Sequence, residues 1–240
     1  MDEKELKTST KQRVIIILIA ILMVGSIIAS YAAIVISGSQ GASSNTSEVD
    51  EAKIAELQEK YEEKQQELKV LSDDDYARFV ALKRDTVKAY NEASANEGGV
   101  KKKDLLEGTG DKVTEDNYLA YYIGWCADES VFDSSFDDSD NPTAFVSILD
   151  PSVGLIEGWA KGVDGMKMDG VREITIPGEL AYGDTTEICG GTNKPLKFMV
   201  MAKAKEGKLA ELAEELNELQ MRIQYAYYGI DYDSISEMKE

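Results

Sequence analysis

Residues 154–170 read GLIEGWAKGVDGMKMDG, and they constrain the fold of this 240-residue chain more than any other stretch. Ile156, Trp159, Val163 and Met166 are spaced three, four and three apart, so all four share one face of a helix of two to three turns. Gly158 and Gly162 lie inside that helix, and each costs about 1 kcal/mol relative to alanine. So short a helix does not persist alone in water. Its apolar face must be held on a larger surface. The flanking segments supply one: YLAYYIGW (118–125), TAFVSIL (143–149), VREITIP (171–177) and LKFMVMAKA (196–204) alternate or run apolar, with turn residues between them. Residues 98–205 are therefore expected to form an α+β domain, an antiparallel sheet with one short helix packed on it. Trp159, at the centre of the stripe, reads from its spacing alone as a core residue.

The N-terminal part has a different texture. Val14 to Ile36 is an uncharged run of 23 residues. At about 1.5 Å per residue it is long enough for a hydrocarbon core of roughly 30 Å. Lys7, Lys11 and Arg13 precede it, which places a cytoplasmic tail at 1–13 and the bulk of the chain outside. The reading is an uncleaved transmembrane signal-anchor over 14–36. A cleaved signal peptide is the alternative, since Ala29, Ser30, Ala32 and Ala33 would suit a peptidase, but its apolar core is normally only about 7–15 residues. SGSQGASSNTS (37–47) is a flexible linker.

Two amphipathic regions flank the sheet segment. In 48–97, a helical or coiled-coil region, Ile54, Leu57, Tyr61, Leu68 and Leu71 form one stripe. Ser72 reads as the N-cap of a second helix carrying Tyr76, Phe79, Val80, Val87 and Tyr90, which NEGG at 96–99 ends. In 206–240, Leu209, Leu212, Leu216, Leu219 and Ile223 form a third stripe before the tail. These faces must bury against one another, a second copy of the chain, or a client protein. A stalk between membrane and domain is the plainest reading.

Composition narrows the chemistry. With 45 acidic against 26 basic residues the formal net charge is −19, which opposes binding to nucleic acid. There is no histidine, which removes a histidine-based triad and a zinc-hydrolase site. Two cysteines cannot build a four-thiolate metal site, so no metal or cofactor is expected.

GLIEGWAKGVDGMKMDGVREITIP followed by ELAYG closely resembles the signature of FKBP-type peptidyl-prolyl isomerases, the macrolide-binding immunophilins. YYIGW leading to VFDSS, NPTAF before the helix, and PLKFMVMAKA after it fall in the family's order, so the resemblance covers roughly Val100 to Lys205. It implies a strongly curved antiparallel sheet wrapped around the short helix, with the active pocket between them. By the resemblance, Tyr122, Phe132 and Phe198 are aromatic walls and Trp159 is the pocket floor. Leu155 and Ile156 form the rim, with the Ile156 N–H receiving a ligand carbonyl. Tyr182 is a hydrogen-bonding phenol, Asp133 the carboxylate beside the pocket, Phe145 a further aromatic, and Ile188 the apolar tip of the following loop. Cys126 and Cys189 would then lie on neighbouring elements, as a disulfide or as two separate thiols. The sequence also departs from the family: acids, Asp138 among them, replace a frequent basic residue beyond FDSS, and DTTEICGGTNK lacks the frequent histidine and proline pair. The function implied is isomerisation of X–Pro bonds in exported or cell-surface proteins, on proline-containing polypeptides, without nucleic acid. The alternatives are a catalytically weak module that holds clients through its helices, and a chain that dimerises through them.

Overall fold

The structure, a computed structural model, describes residues 50–136, 145, 147–151 and 155–236. The expected tail (1–13), membrane span (14–36) and linker (37–47) lie outside the described residues, as do Asp138 and Pro142. Among the described residues no helix is long and apolar enough to cross a membrane. The chain divides into two compact units, 56–220 and, from its two ends, 50–55 with 221–236.

The larger unit is built on a five-stranded antiparallel sheet. Its strands are β1 (Lys101–Leu106), β2 (Tyr118–Trp125), β3 (Val131–Ser134), β4 (Val171–Ile176) and β5 (Leu196–Ala204), in the order β1-β4-β5-β2-β3. The two most apolar strands, β2 and β5, pair along their whole lengths, from Tyr118↔Ala204 to Trp125↔Lys197. Edge strand β1, KKKDLL, is almost wholly exposed, and its lysines blunt an otherwise open hydrogen-bonding edge. TAFVSIL, expected as a strand, forms none among the described residues. It contributes only the isolated bridges Phe136↔Phe145 and Ala120↔Leu149.

Alternation along the strands sorts side chains into two cores. Tyr118, Ala120, Ile174, Ile176, Leu196, Phe198, Val200 and Ala202 face one side, where helix α4 (Glu157–Val163) lies with Trp159 and Val163 against them. Tyr121, Ile123, Trp125, Val171, Met199 and Met201 face the other. That second face is covered by helices: Leu68 from α1 (Glu51–Leu71), Tyr76 and Phe79 from α2 (Asp73–Thr86), and Leu216 from α5 (Gly207–Tyr227). Within this unit the amphipathic helices are thus part of one folded body, and packing runs unbroken across position 98.

Details of the helices differ from their expected form. Leu71, read as part of the buried stripe, is exposed. Ser72 makes no side-chain cap to α2; its hydroxyl donates instead to the Leu68 carbonyl at 2.6 Å, ending α1. α2 stops at Thr86, and Val87 and Tyr90 lie in an extended connection to a short helix α3 (Glu92–Asn96). That connection is stitched to the sheet. The Tyr90 hydroxyl lies 2.8 Å from the Pro195 carbonyl and 3.3 Å from that of Trp125. Trp125 Nε1 donates to the Lys88 carbonyl at 3.1 Å, and the Gly178 N–H donates to Asn96 Oδ1 at 2.8 Å.

The smaller unit is held by polar contacts. Asp50 accepts from the Ala52 and Lys53 N–H groups, Lys53 pairs with Asp231 at 3.3 Å, and Arg222 pairs with Asp233 at 2.7 Å beside helix α6 (Tyr232–Ser236).

Candidate active site

The site begins with how closely α4 lies on β4. A Cβ on Gly158 would stand 2.2 Å from Ile176 Cγ2, and one on Gly162 would stand 2.5 Å from Ile174 Cγ2. No other residue fits there without displacing the helix or the isoleucine beneath it, so the glycines that weaken the helix locally also let it approach the sheet. Its C-terminal end is fixed by Arg172, a buried guanidinium. Arg172 donates to the Gly162 and Asp164 carbonyls at 3.0 and 2.9 Å while Asp104 takes its other face at 2.6 Å. A cation on the last carbonyls of a helix also complements its dipole. Ile156 and Met166, expected within the helix, flank it on either side.

Trp159 is 3 % exposed. Its ring meets Tyr122 edge-on at 5.6 Å and Phe198 at 5.3 Å, and Phe132 meets Phe198 at a right angle at 5.5 Å. Gly124 makes this closure feasible, because a Cβ there would stand 2.5 Å from Phe132 and 2.8 Å from Phe198. Gly124 was not singled out from the sequence, although its place between two aromatic positions of one strand was visible. The Trp159 indole N–H donates to the Tyr118 hydroxyl at 3.0 Å.

The Tyr122 hydroxyl donates to Asp133 Oδ2 at 2.5 Å. This geometry is set by FDSS, the end of β3 and the residue after it. The Tyr122 N–H donates to Ser135 Oγ and the Ser135 N–H returns a bond to the Tyr122 carbonyl, at 2.9 and 2.8 Å. Burial, and then the negative charge of Asp133, push the Tyr122 phenol well above its ordinary pKa. The same two causes raise the Tyr182 phenol, which places Asp133 as the charge both hydroxyls feel. Tyr182 is half-buried on the turn after the 3-10 segment Gly178–Leu180, and Gly183 behind it adopts φ +56°, which favours glycine.

Leu155, Ile156 and Tyr182 pack against the Trp159 core as partly buried residues, and Ile188 is buried in it. The structure joins Cys126 to Cys189 in a disulfide, Cα to Cα 5.4 Å, tying the end of β2 to the loop that carries Ile188. Phe145 is placed elsewhere. It is fully buried on the opposite face of the sheet, stacked on Tyr121 at 3.9 Å and edge-on to Tyr76 and Phe79. The structure therefore brings together Tyr122, Phe132, Asp133, Leu155, Ile156, Trp159, Tyr182, Ile188 and Phe198, and leaves Phe145 outside. Among the described residues, no cluster of three side chains suited to a metal ion occurs.

The cluster sets four aromatic rings, Tyr122, Phe132, Trp159 and Phe198, beside the Tyr122–Asp133 hydrogen bond. The profile of a family described as FKBP-type peptidyl-prolyl cis-trans isomerase matches residues 109–203. An FK506-binding protein of Neisseria meningitidis serogroup B is 36% identical over 87 residues, 36% of this chain and 76% of that protein. The FKBP-type 22 kDa peptidyl-prolyl cis-trans isomerase of Escherichia coli is 32% identical over 114 residues, 45% of this chain and 52% of that protein. Among solved structures, AtFKBP13 shares 31% identity over 44% of this chain and 92% of its own, with a TM-score of 0.34.

Proposed function

The chain belongs to the FKBP-type peptidyl-prolyl cis-trans isomerases, and we propose that its reaction takes place in the recess around Trp159, on proline-containing segments of exported or cell-surface proteins. The observation that carries this reading is the packing of Tyr122 and Phe198 on Trp159, with Phe132 against Phe198 and the Tyr122–Asp133 bond at one end.

An X–Pro bond interconverts slowly because twisting it destroys amide resonance, a barrier of about 18–20 kcal/mol. No proton transfer, nucleophile or metal is needed to lower it. What is needed is a surface that fits the twisted amide better than the planar one. In this chain the proline ring would lie on Trp159 between the aromatic walls, where little water remains to favour the planar, more polar amide. The Ile156 N–H would receive one substrate carbonyl and the Tyr182 hydroxyl another. Asp133 accepts the Tyr122 hydroxyl and so fixes its direction, while burial, and then the Asp133 charge, hold both phenols above their ordinary pKa.

The test is a protease-coupled assay on proline tetrapeptides with the full chain in detergent. Acceleration over the spontaneous rate is expected, and its absence with folded protein would overturn the reading. Asp133→Ala removes the acceptor of the Tyr122 hydroxyl and is expected to lower kcat/KM about 10-fold; Tyr182→Phe removes one hydroxyl and is expected to lower it about 5-fold.

The membrane placement rests on the Val14–Ile36 run and the charges before it. A disulfide in the same domain accords with an oxidising compartment outside the cytoplasm. Protection of the domain from protease in intact cells would contradict it. The client-holding alternative has less support, because Leu68, Tyr76, Phe79 and Leu216 are turned into the second core.

A further inference from the structure

We propose that Tyr118 is a positioning residue for this isomerase: its hydroxyl holds the Trp159 indole in the one orientation that offers the proline ring an apolar floor. The inference rests on reading the Trp159 recess as the site of reaction.

Tyr118 and Tyr122 are four residues apart on β2, so both point to the face that bears α4. They hold the indole in two different ways. Tyr122 meets it edge-on, interplanar angle 88°, and Tyr118 accepts its N–H at 3.0 Å, with both partners of that bond buried. An indole has a single polar group, a donor, and one left without a partner in a dry core is costly. The helix backbone beneath Trp159 has almost no freedom, since Gly158 and Gly162 already bring it into contact with Ile176 and Ile174. What remains is rotation of the side chain, and the outer torsion of tryptophan has no sharp preference of its own. The hydrogen bond to Tyr118 selects the rotation. It turns the N–H into the core, beneath the floor and away from the rim where substrate carbonyls would be received.

Without that hydroxyl, the N–H must recruit water into the floor or turn until it finds another acceptor. Either outcome spoils the fit to a twisted X–Pro bond. A phenylalanine at 118 would keep the packing and lose only the bond, so the effect should be on the reaction more than on the fold.

The experiment is a double-mutant cycle on the full chain, with Tyr118→Phe, Trp159→Phe and both together, read as kcat/KM on proline tetrapeptides. Small misplacements of a reacting group cost up to about 100-fold, and Tyr118→Phe alone is expected to cost about 10-fold. In the Trp159→Phe background it is expected to cost no more than about 2-fold, since its partner is already gone. The indole N–H exchange of Trp159 should accelerate in Tyr118→Phe, while that of Trp125, bonded to the Lys88 carbonyl, should not change. Equal losses in both backgrounds would mean a purely structural residue and overturn the proposal, as would full activity of Tyr118→Phe. Should Trp159→Phe turn over too slowly to measure, exchange decides, and an unchanged Trp159 rate overturns it. An inactive wild type instead overturns the reaction itself.

Discussion

The two faces of the sheet are made by the same strands and differ in what covers them. On the face bearing α4, one seven-residue helix lies over large side chains that carry hydroxyls, an indole N–H and a carboxylate, and several of them are only partly buried. The other face, with hydroxyls and an indole of its own on Tyr76, Tyr121 and Trp125, is closed by three helices and filled with Phe79, Phe136, Phe145, Leu68 and two methionines. Residue alternation alone divides the labour: Tyr122 points to the face bearing α4 and Tyr121, its neighbour, to the face under the three helices.

This contrast can be broken deliberately. The largest effect is expected from Phe79→Ala, which empties the centre of the filled face and should cost about 3–5 kcal/mol in urea unfolding. The kcat/KM of the molecules still folded should stay within about 2-fold of wild type, because no atom of the recess moves with it. If activity falls in step with stability, the two faces are not independent. Reduction of the Cys126–Cys189 disulfide should cost about 4 kcal/mol on the chain-entropy account for a separation of 63 residues. Comparing urea midpoints with and without reductant measures it.

Gly162→Ala tests the other face. The added methyl must displace Ile174 or lift α4, an overpacking cost of about 1–3 kcal/mol, and here kcat/KM should fall along with the melting temperature. A variant that is destabilised yet fully active would show that the recess tolerates a shifted helix. The gentlest effect is that of alkaline pH. Burial raises the phenols of Tyr118, Tyr122 and Tyr182, the first to about 12. Below the free-phenol value of about 10 these groups are protonated in both folded and unfolded chains, so their contribution is intact there. Above it the unfolded chain releases its protons first, and stability should decline as pH rises towards the folded values. A thermal midpoint that is flat across pH 9–11.5 would contradict that burial.

Much of this arrangement was legible in the residues. YLAYYIGW and LKFMVMAKA form strands over their whole lengths because β-prone residues run unbroken there. That same lack of alternation already meant that both faces of the central strands are buried, a signal that an antiparallel sheet does not always give. The stripe around Trp159 was readable from spacing, and its glycines acquire their meaning only beside Ile174 and Ile176, which lie elsewhere in the sequence. β1 was hidden because KKKDLL has no apolar period: an edge strand is defined by its hydrogen bonds to β4, and its side chains face water. Phe145 was the reverse case. The resemblance gave it as a further aromatic of the site, but in a segment whose described residues make only isolated bridges a single step of register decides the face.

The stitching of residues 88–96 has a mechanical consequence. A pull on the N-terminal side of the larger unit reaches α1 and α2 before the bonds from Lys88, Tyr90 and Asn96 to the ends of β2 and β5 and to Gly178. α4 is held by other bonds, from Arg172 and through the contacts of its glycines with β4. The contacts that hold residues 88–96 and those that hold α4 are therefore different sets, and the first can be broken while the second stays in place.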